Sequence, residues 1–189
     1  MKRRRWLIII ALFVAVLVGS GLWLALRPPA KTEEAPTAAA GPASWRGVVP
    51  GLTSPEQVFA LLGQPAATSV EPSGTTYFFS SANQYWKNEV RAREATVAFV
   101  KEYVFPPADT SLLSTIRRFN VSPTRLFGPD SVAGRDLFVS PERGVALFAN
   151  GEKDKLYEVW YFPPVSLEQF LQFPEASGYS RQRPQRSDI

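Results

Sequence analysis

The chain contains neither histidine nor cysteine. Thiol nucleophiles, Ser-His triads and nearly all zinc sites need one of those side chains, so that chemistry is excluded. Catalysis would have to come from paired carboxylates, a Ser-Lys arrangement or an oxygen-ligand metal site. The candidate acids are Glu89, Glu94, Glu102, Asp109, Asp130, Asp136, Glu142 and Glu158. Glu102 and Glu158 each fall in a strand-like stretch near a Pro-Pro pair. Alternating charge in such a stretch marks a solvated sheet face. Glu152-Lys153-Asp154-Lys155 places two acids in a turn without the spaced acids and closing glutamate of a calcium loop. No Gly-rich phosphate loop is present. The sequence therefore predicts no enzyme, no cofactor and no metal site.

One cluster has the composition of a recognition surface. Tyr85, Trp86, Lys87, Arg91 and Arg93 mix aromatic and basic side chains within nine positions. Trp, Tyr and Arg are the residues that dominate protein interfaces, so these five are the candidate partner contacts. Near a membrane they could also touch lipid headgroups. The plainer alternative is that Trp86 closes one edge of the core. The expected function is a non-enzymatic protein-interaction domain of the cell envelope. The alternative is a module for a small, lipid or cell-wall ligand, held in a groove between two units.

The elements that must carry this cluster begin after a hydrophobic run. Trp6 to Leu26 holds no charged residue. At ~1.5 Å per residue such a helix would cross a bilayer core of ~30 Å. Lys2, Arg3, Arg4 and Arg5 precede it, a pattern that keeps the N-terminus cytoplasmic and sends the rest outward. The run exceeds the ~7–15 apolar residues of a cleaved signal and ends in Arg27-Pro28-Pro29, so residues 1–27 read as a retained anchor in the cell membrane. Ala11, Ala15 and Gly19 share one helix face, a spacing that would let two such helices form a homodimer. Residues 28–44 carry no large apolar side chain and read as an extended linker.

The charge is unevenly placed. Residues 1–44 carry a net +4 and residues 177–189 a net +2, while residues 45–176 carry a net −2. That distribution argues against nucleic-acid binding, which needs a basic domain face. With 45% hydrophobic and 13% aromatic residues there is material for a real core. An exported domain without cysteine has no disulfides, so that core must hold it together.

From Trp45 onward the pattern is mixed. Ser54-Pro55-Glu56-Gln57 predicts a helix with a capping box and proline at its first position. Val58, Leu61 and Leu62 form its apolar stripe, and Gly63 and Pro65 stop it. Strand-like stretches are 75–79 and 94–105, with 80–93 left as a long loop or strand extension. Asp109 or Thr110 would cap a helix over 110–119 carrying Leu112, Ile116 and Phe119. Ser122-Pro123 would start a second helical turn. Three strands, 136–140, 144–150 and 155–162, have tight links that imply an antiparallel meander. Ser166-Leu167-Glu168-Gln169 opens a last helix. Residues 177–189 read as a disordered basic tail.

Ser54-Pro55 through Gly63-Gln64-Pro65 has an echo in Ser122-Pro123 through Gly128-Pro129. Each is followed by aromatic-rich strands and then Pro-Pro. The expected fold class is thus α+β: a transmembrane helix, a linker, then two helix-plus-antiparallel-sheet units at 45–107 and 108–176.

The stretch Pro50-Gly51-Leu52-Thr53-Ser54-Pro55-Glu56-Gln57-Val58-Phe59-Ala60-Leu61-Leu62-Gly63-Gln64-Pro65 resembles the signature of the SmpA/OmlA (BamE-like) family. That resemblance implies a small envelope domain, two helices against an antiparallel sheet, which assists outer-membrane protein assembly. A tandem pair is also similar to the beta-lactamase inhibitor protein fold, in which two such units form a concave sheet that grips a partner.

Overall fold

The computed structural model describes residues 41–82, 85–104 and 110–183, all within one compact unit spanning Ala38–Ile189. Eight strands form one antiparallel sheet: β1 (Ala67–Glu71), β2 (Gly74–Phe79), β3 (Asn88–Arg93), β4 (Thr96–Tyr103), β5 (Thr124–Leu126), β6 (Asp136–Ser140), β7 (Val145–Asn150) and β8 (Lys155–Tyr161). Their order is β1-β2-β3-β4-β8-β7-β6-β5. Among the described residues three short α-helices accompany them: α1 (Pro55–Leu62), α2 (Leu112–Phe119) and α3 (Leu167–Phe170).

This corrects the expected fold class. There are not two separate helix-plus-sheet units, because β4 pairs with β8 and joins both meanders into one sheet. Val100 faces Tyr161 and Tyr103 faces Glu158 across that seam. Nor is Ser122-Pro123 the counterpart of Ser54-Pro55. Pro123 leads into strand β5, whose Thr124 pairs with Val139. The helix of the second half lies upstream, at α2.

The transmembrane helix of that fold class is not among the described elements. Among the described residues no helix is long and apolar enough to cross a membrane. The run 6–26, its Ala11, Ala15 and Gly19 face and most of the linker lie outside the described residues.

Helix α1 forms as its local sequence dictates. Ser54 Oγ accepts from Gln57 N–H at 3.4 Å, and Gln57 Oε1 accepts from Ser54 N–H at 2.8 Å. Val58 is buried, and Phe59 and Leu62 pack on the core, while Leu61 points outward at 52% exposed. Helix α2 is capped by Ser111, whose Oγ accepts from Ser114 N–H at 3.0 Å. Asp154, in the β7–β8 turn, accepts from Ser111 Oγ at 2.6 Å and from Leu113 N–H at 2.8 Å. These bonds hold the Asp154 carboxyl below its usual range. A carboxylate at a helix N-terminus is favoured by the unpaired amides and the helix dipole there.

One face of the sheet packs Val90, Val97, Val100, Leu147 and Tyr161 beneath α1 and α2, against Val58 of α1 and Leu112 of α2. The other face packs Leu137, Val139, Phe148 and Trp160, with Phe162 just after β8, against Phe170 and Ala176 of the C-terminal segment. Strand β7 lies between both layers and all six of its residues are buried. Gly144 starts it at φ 65°, and an added Cβ would sit 2.1 Å from the Phe162 carbonyl oxygen, so only glycine fits. Residues 177–180, expected within a structureless tail, are packed: Phe127 and Ser180 exchange backbone hydrogen bonds of 2.7 and 2.8 Å. Tyr179 meets Trp160 edge-on with ring centroids 6.2 Å apart.

At the β5–β6 end, Asp136 is 1% exposed. It accepts from Arg125 Nε at 2.9 Å and from Ser131 Oγ at 2.5 Å. Ser131 Oγ in turn accepts from Gly128 N–H at 2.8 Å.

Candidate functional site

The site is a consequence of uneven cover. The C-terminal segment covers its face over the strands of the second half and reaches the first half at Glu175. Thr76, Phe78, Glu89, Arg91, Lys101 and Tyr103 on β2, β3 and β4 are left only half-buried. A bulge sets which side chains arrive there. Arg91 pairs with Phe99 and Ala92 with Val97, so Ala98 is the extra residue of β4. Val97 and Val100 therefore both face the helices, while Phe99, Lys101 and Tyr103 face the other way. Strict alternation along β4 would have put Val97 on the side of Phe99 and Tyr103; the bulge moves it to the other.

A polar ladder crosses this face. Glu89 accepts from Tyr103 Oη at 3.1 Å and from Arg91 Nη2 at 2.9 Å. Arg91 Nη1 donates to Glu175 Oε1 at 2.7 Å, and its guanidinium lies 5.8 Å from the Phe99 ring centroid. Lys101 lies 5.7 Å from the Tyr103 ring and 5.3 Å from the Trp160 ring. Glu158 accepts from Trp160 Nε1 at 2.7 Å, with Lys101 Nζ at 3.8 Å. A groove of about 550 Å³ opens on the same face, with Thr76, Phe78, Arg91, Arg93, Phe173 and Glu175 in its lining. The groove sits inside the first half, against the C-terminal segment, and not between two units.

The five sequence-predicted contacts do not share one loop. Arg91 and Arg93 are strand residues of β3, so of the two readings of 80–93, long loop or strand extension, the second holds for Asn88–Arg93. Tyr85, Trp86 and Lys87 sit in the β2–β3 connection, at the opposite end of that strand. Asn88 fixes this connection: its Nδ2 donates to the Ser80 carbonyl at 3.0 Å and its Oδ1 accepts from Tyr103 N–H at 2.9 Å. Ser81 Oγ donates to the Trp86 carbonyl. Trp86 stacks on Tyr103 with centroids 5.6 Å apart and planes 21° apart. It does not close the core, being 56% exposed, and Tyr85 is 79% exposed. Trp86, Tyr103, Glu89, Arg91 and Glu175 thus form a connected row. Lys87 is exposed and stands outside it. Arg93 lines the groove, its Nε 3.3 Å from the Ser73 carbonyl.

Tyr103, Lys101, Trp160 and Glu175 were missed as site residues. A signal was present in Asn88–Arg93, where Val90 and Ala92 alternate with Glu89, Arg91 and Arg93, the mark of a half-exposed strand. For Glu175 there was none, because its contact is set by where the chain returns.

The candidate acids scatter. Glu102 accepts from Tyr161 Oη at 2.9 Å on the helix-covered face, and Glu158 lies on the opposite one. Asp130 pairs with Arg135 at 3.1 Å, Glu94 sits at φ 56° in the β3–β4 turn, and Asp109 lies outside the described residues. Among the described residues no group of three or more acids is placed to hold a metal ion.

The phenols of Tyr103, Tyr161 and Tyr179 are pushed upward. Burial is the main cause for each; Glu89 and Glu158 add to it at Tyr103, and Glu102 at Tyr161. Tyr179 is pushed up to about 12, by burial and then by Asp130, Glu158 and Asp136. Arg91 is raised because Glu89 and Glu175 outweigh the opposing effect of burial. An unfolded tyrosine titrates near ~10. A folded value above that means that the unfolded chain loses the proton first. Stability from these phenols is then whole below pH ~10 and falls as pH rises through the folded values. Absorbance at the tyrosinate band should show Tyr103, Tyr161 and Tyr179 still protonated at pH ~11, with a joint step where the fold is lost. Six independent transitions near the unfolded value would contradict that placement.

No family model matches the chain, and no curated protein matches it. The SmpA/OmlA (BamE-like) membership expected from residues 50–65 is thereby corrected. Those residues encode a capped helix and a Gly-Pro stop, a local solution open to many folds, and here the helix lies on one eight-stranded sheet. Among solved structures the chain is similar to an extracellular protein containing an SCP domain from Bacillus anthracis str. Ames. Identity is 13% and the TM-score 0.43, over 69% of this chain and 49% of that one. The chain spans about half the length of that protein, and a likeness this distant decides neither fold nor function.

Proposed function

We propose that this chain is a non-enzymatic protein-interaction module that works outside the cytoplasm, binding a partner through the open half-face of its sheet. The observation that carries this reading is the row from Trp86 to Glu175. It combines an exposed, stacked aromatic with an arginine already fixed by two carboxylates. Such a surface is ordered before binding, so little side-chain freedom is lost on contact. Aromatic and arginine anchors at a groove are also the residues on which interface energy concentrates. Export rests on the basic residues 2–5 followed by an apolar run, the pattern that directs a chain across the membrane.

Crosslinking in cells, followed by mass spectrometry of the captured species, tests the proposal. One dominant envelope protein is expected, with capture lost in Trp86→Ala and reduced in Tyr85→Ala. Both side chains are largely exposed, so neither variant should unfold the domain. Capture unchanged in both variants would overturn the reading.

The groove favours a second reading, a small-ligand module. Its volume, about 550 Å³, lies within the usual range of ligand pockets. Recovery of a bound small molecule from the purified chain, lost in Arg93→Gln but kept in Trp86→Ala, would favour it.

A further inference from the structure

The two edges of the sheet are treated differently. At the β5 edge the chain covers itself: Ser180 pairs with Phe127, immediately after β5. At the β1 edge no strand among the described residues pairs with the outer side. Four of the five β1 residues are exposed, and Val70 is 79% exposed. In an antiparallel pair alternate residues direct N–H and C=O away from the neighbour, so β1 presents unpaired backbone groups along its outer side. Natural proteins blunt such edges with lysines, inward charges, bulges or a covering segment. β1 has one charge, Glu71, at its end, and no bulge against β2.

We infer that β1 is a self-pairing edge and that a second copy of this chain occupies it, antiparallel, about a two-fold axis at Ser69. That register pairs the whole strand and leaves Pro65 and Pro72 outside it. It sets Ala67 against Glu71 of the other copy and Thr68 against Val70, so no like charges meet. Val70, 79% exposed in one copy, is then flanked by the Thr68 side chain of the other on the same sheet face. Because the β5 edge is already capped, the contact uses one edge per chain and closes as a dimer instead of running on into a filament. The open half-face of the sheet stays free in that dimer, and the inference stands independently of the proposed function.

The absence of cysteine gives a clean test in the full-length chain. Opposed residues in an antiparallel pair have Cα atoms about 4.5–5.5 Å apart. That lies inside the disulfide range of about 4.4–6.8 Å. Ser69→Cys should therefore give a disulfide-linked dimer on mild oxidation, while Glu152→Cys, on an exposed turn, should stay monomeric. By sedimentation the unmodified chain should show twice the monomer mass. Thr68→Lys/Val70→Lys sets lysine against lysine at two exposed positions and should return the mass to the monomer with an unchanged circular dichroism spectrum. A monomer at every concentration, or a dimer that survives the double lysine substitution, would overturn the inference.

Discussion

Phe162→Ala is expected to cost about 3–5 kcal/mol of folding stability, the range for truncating a fully buried aromatic. Phe162 is 0% exposed. Its ring lies 4.7 Å from that of Phe170 and 5.8 Å from that of Phe173. Its N–H donates to the Gly144 carbonyl at 3.0 Å. The residue follows β8 and seats the C-terminal segment on the sheet, so truncation opens a cavity under α3 and loosens what packs there. With native stabilities of ~5–15 kcal/mol, such a loss would leave many domains marginal. Phe162→Leu should recover most of it, since the cavity is smaller. Guanidinium melts of both variants check this, and a loss under about 1 kcal/mol in the alanine variant would contradict the packing. Because Glu175 belongs to the same segment, Phe162→Ala should also release Arg91 from one of its two carboxylates.

Asp136→Ala should cost about 3 kcal/mol, at the lower end of the range for breaking a buried ion pair, because Arg125 is partly solvated. Asp136 receives Arg125 and Ser131, and Ser131 receives Gly128 N–H, so one substitution unpairs a connected set. The Arg125 side chain is 41% exposed and can turn to water, but Ser131 is buried and cannot. Asp136→Asn should be milder, keeping an acceptor for Ser131. Asp130→Ala is the control. Its pair with Arg135 is exposed on both sides, and such pairs contribute ~0–1 kcal/mol. Thermal melts should rank the three Asp136→Ala, Asp136→Asn, Asp130→Ala, from lowest to highest midpoint. Equal midpoints for the two alanine variants would show that the buried set contributes little.

Neither large effect was legible in the sequence. Asp136 was one of eight candidate acids, with nothing local to separate it from Asp130. Its burial depends on Arg125 arriving from β5, a strand that the Ser122-Pro123 reading had turned into a helix. Phe162 was taken as the last residue of a strand, which is nearly correct, yet its packing needs residues that return from the far side of Pro163-Pro164. β1 was missed because Ala67–Glu71 has no apolar alternation, and β3 stayed open between loop and strand extension because the aromatic and basic residues around it fit either.

What the residues alone determined is local or negative. The α1 capping box, proline at its first turn and glycine after its end follow from a few adjacent side chains bonding their own backbone. The strands β6, β7 and β8 and their tight links follow from periodicity and turn chemistry. The exclusion of thiol and imidazole chemistry follows from composition. Only the tertiary structure decided that β4 meets β8, because strand pairing joins backbone groups that are the same at every residue and carry no code of their own. It also decided that Asp154 helps cap α2 from a distant turn. And it decided which half of one sheet face stays open, since that depends on how far the returning C-terminal segment reaches across strands formed much earlier in the chain.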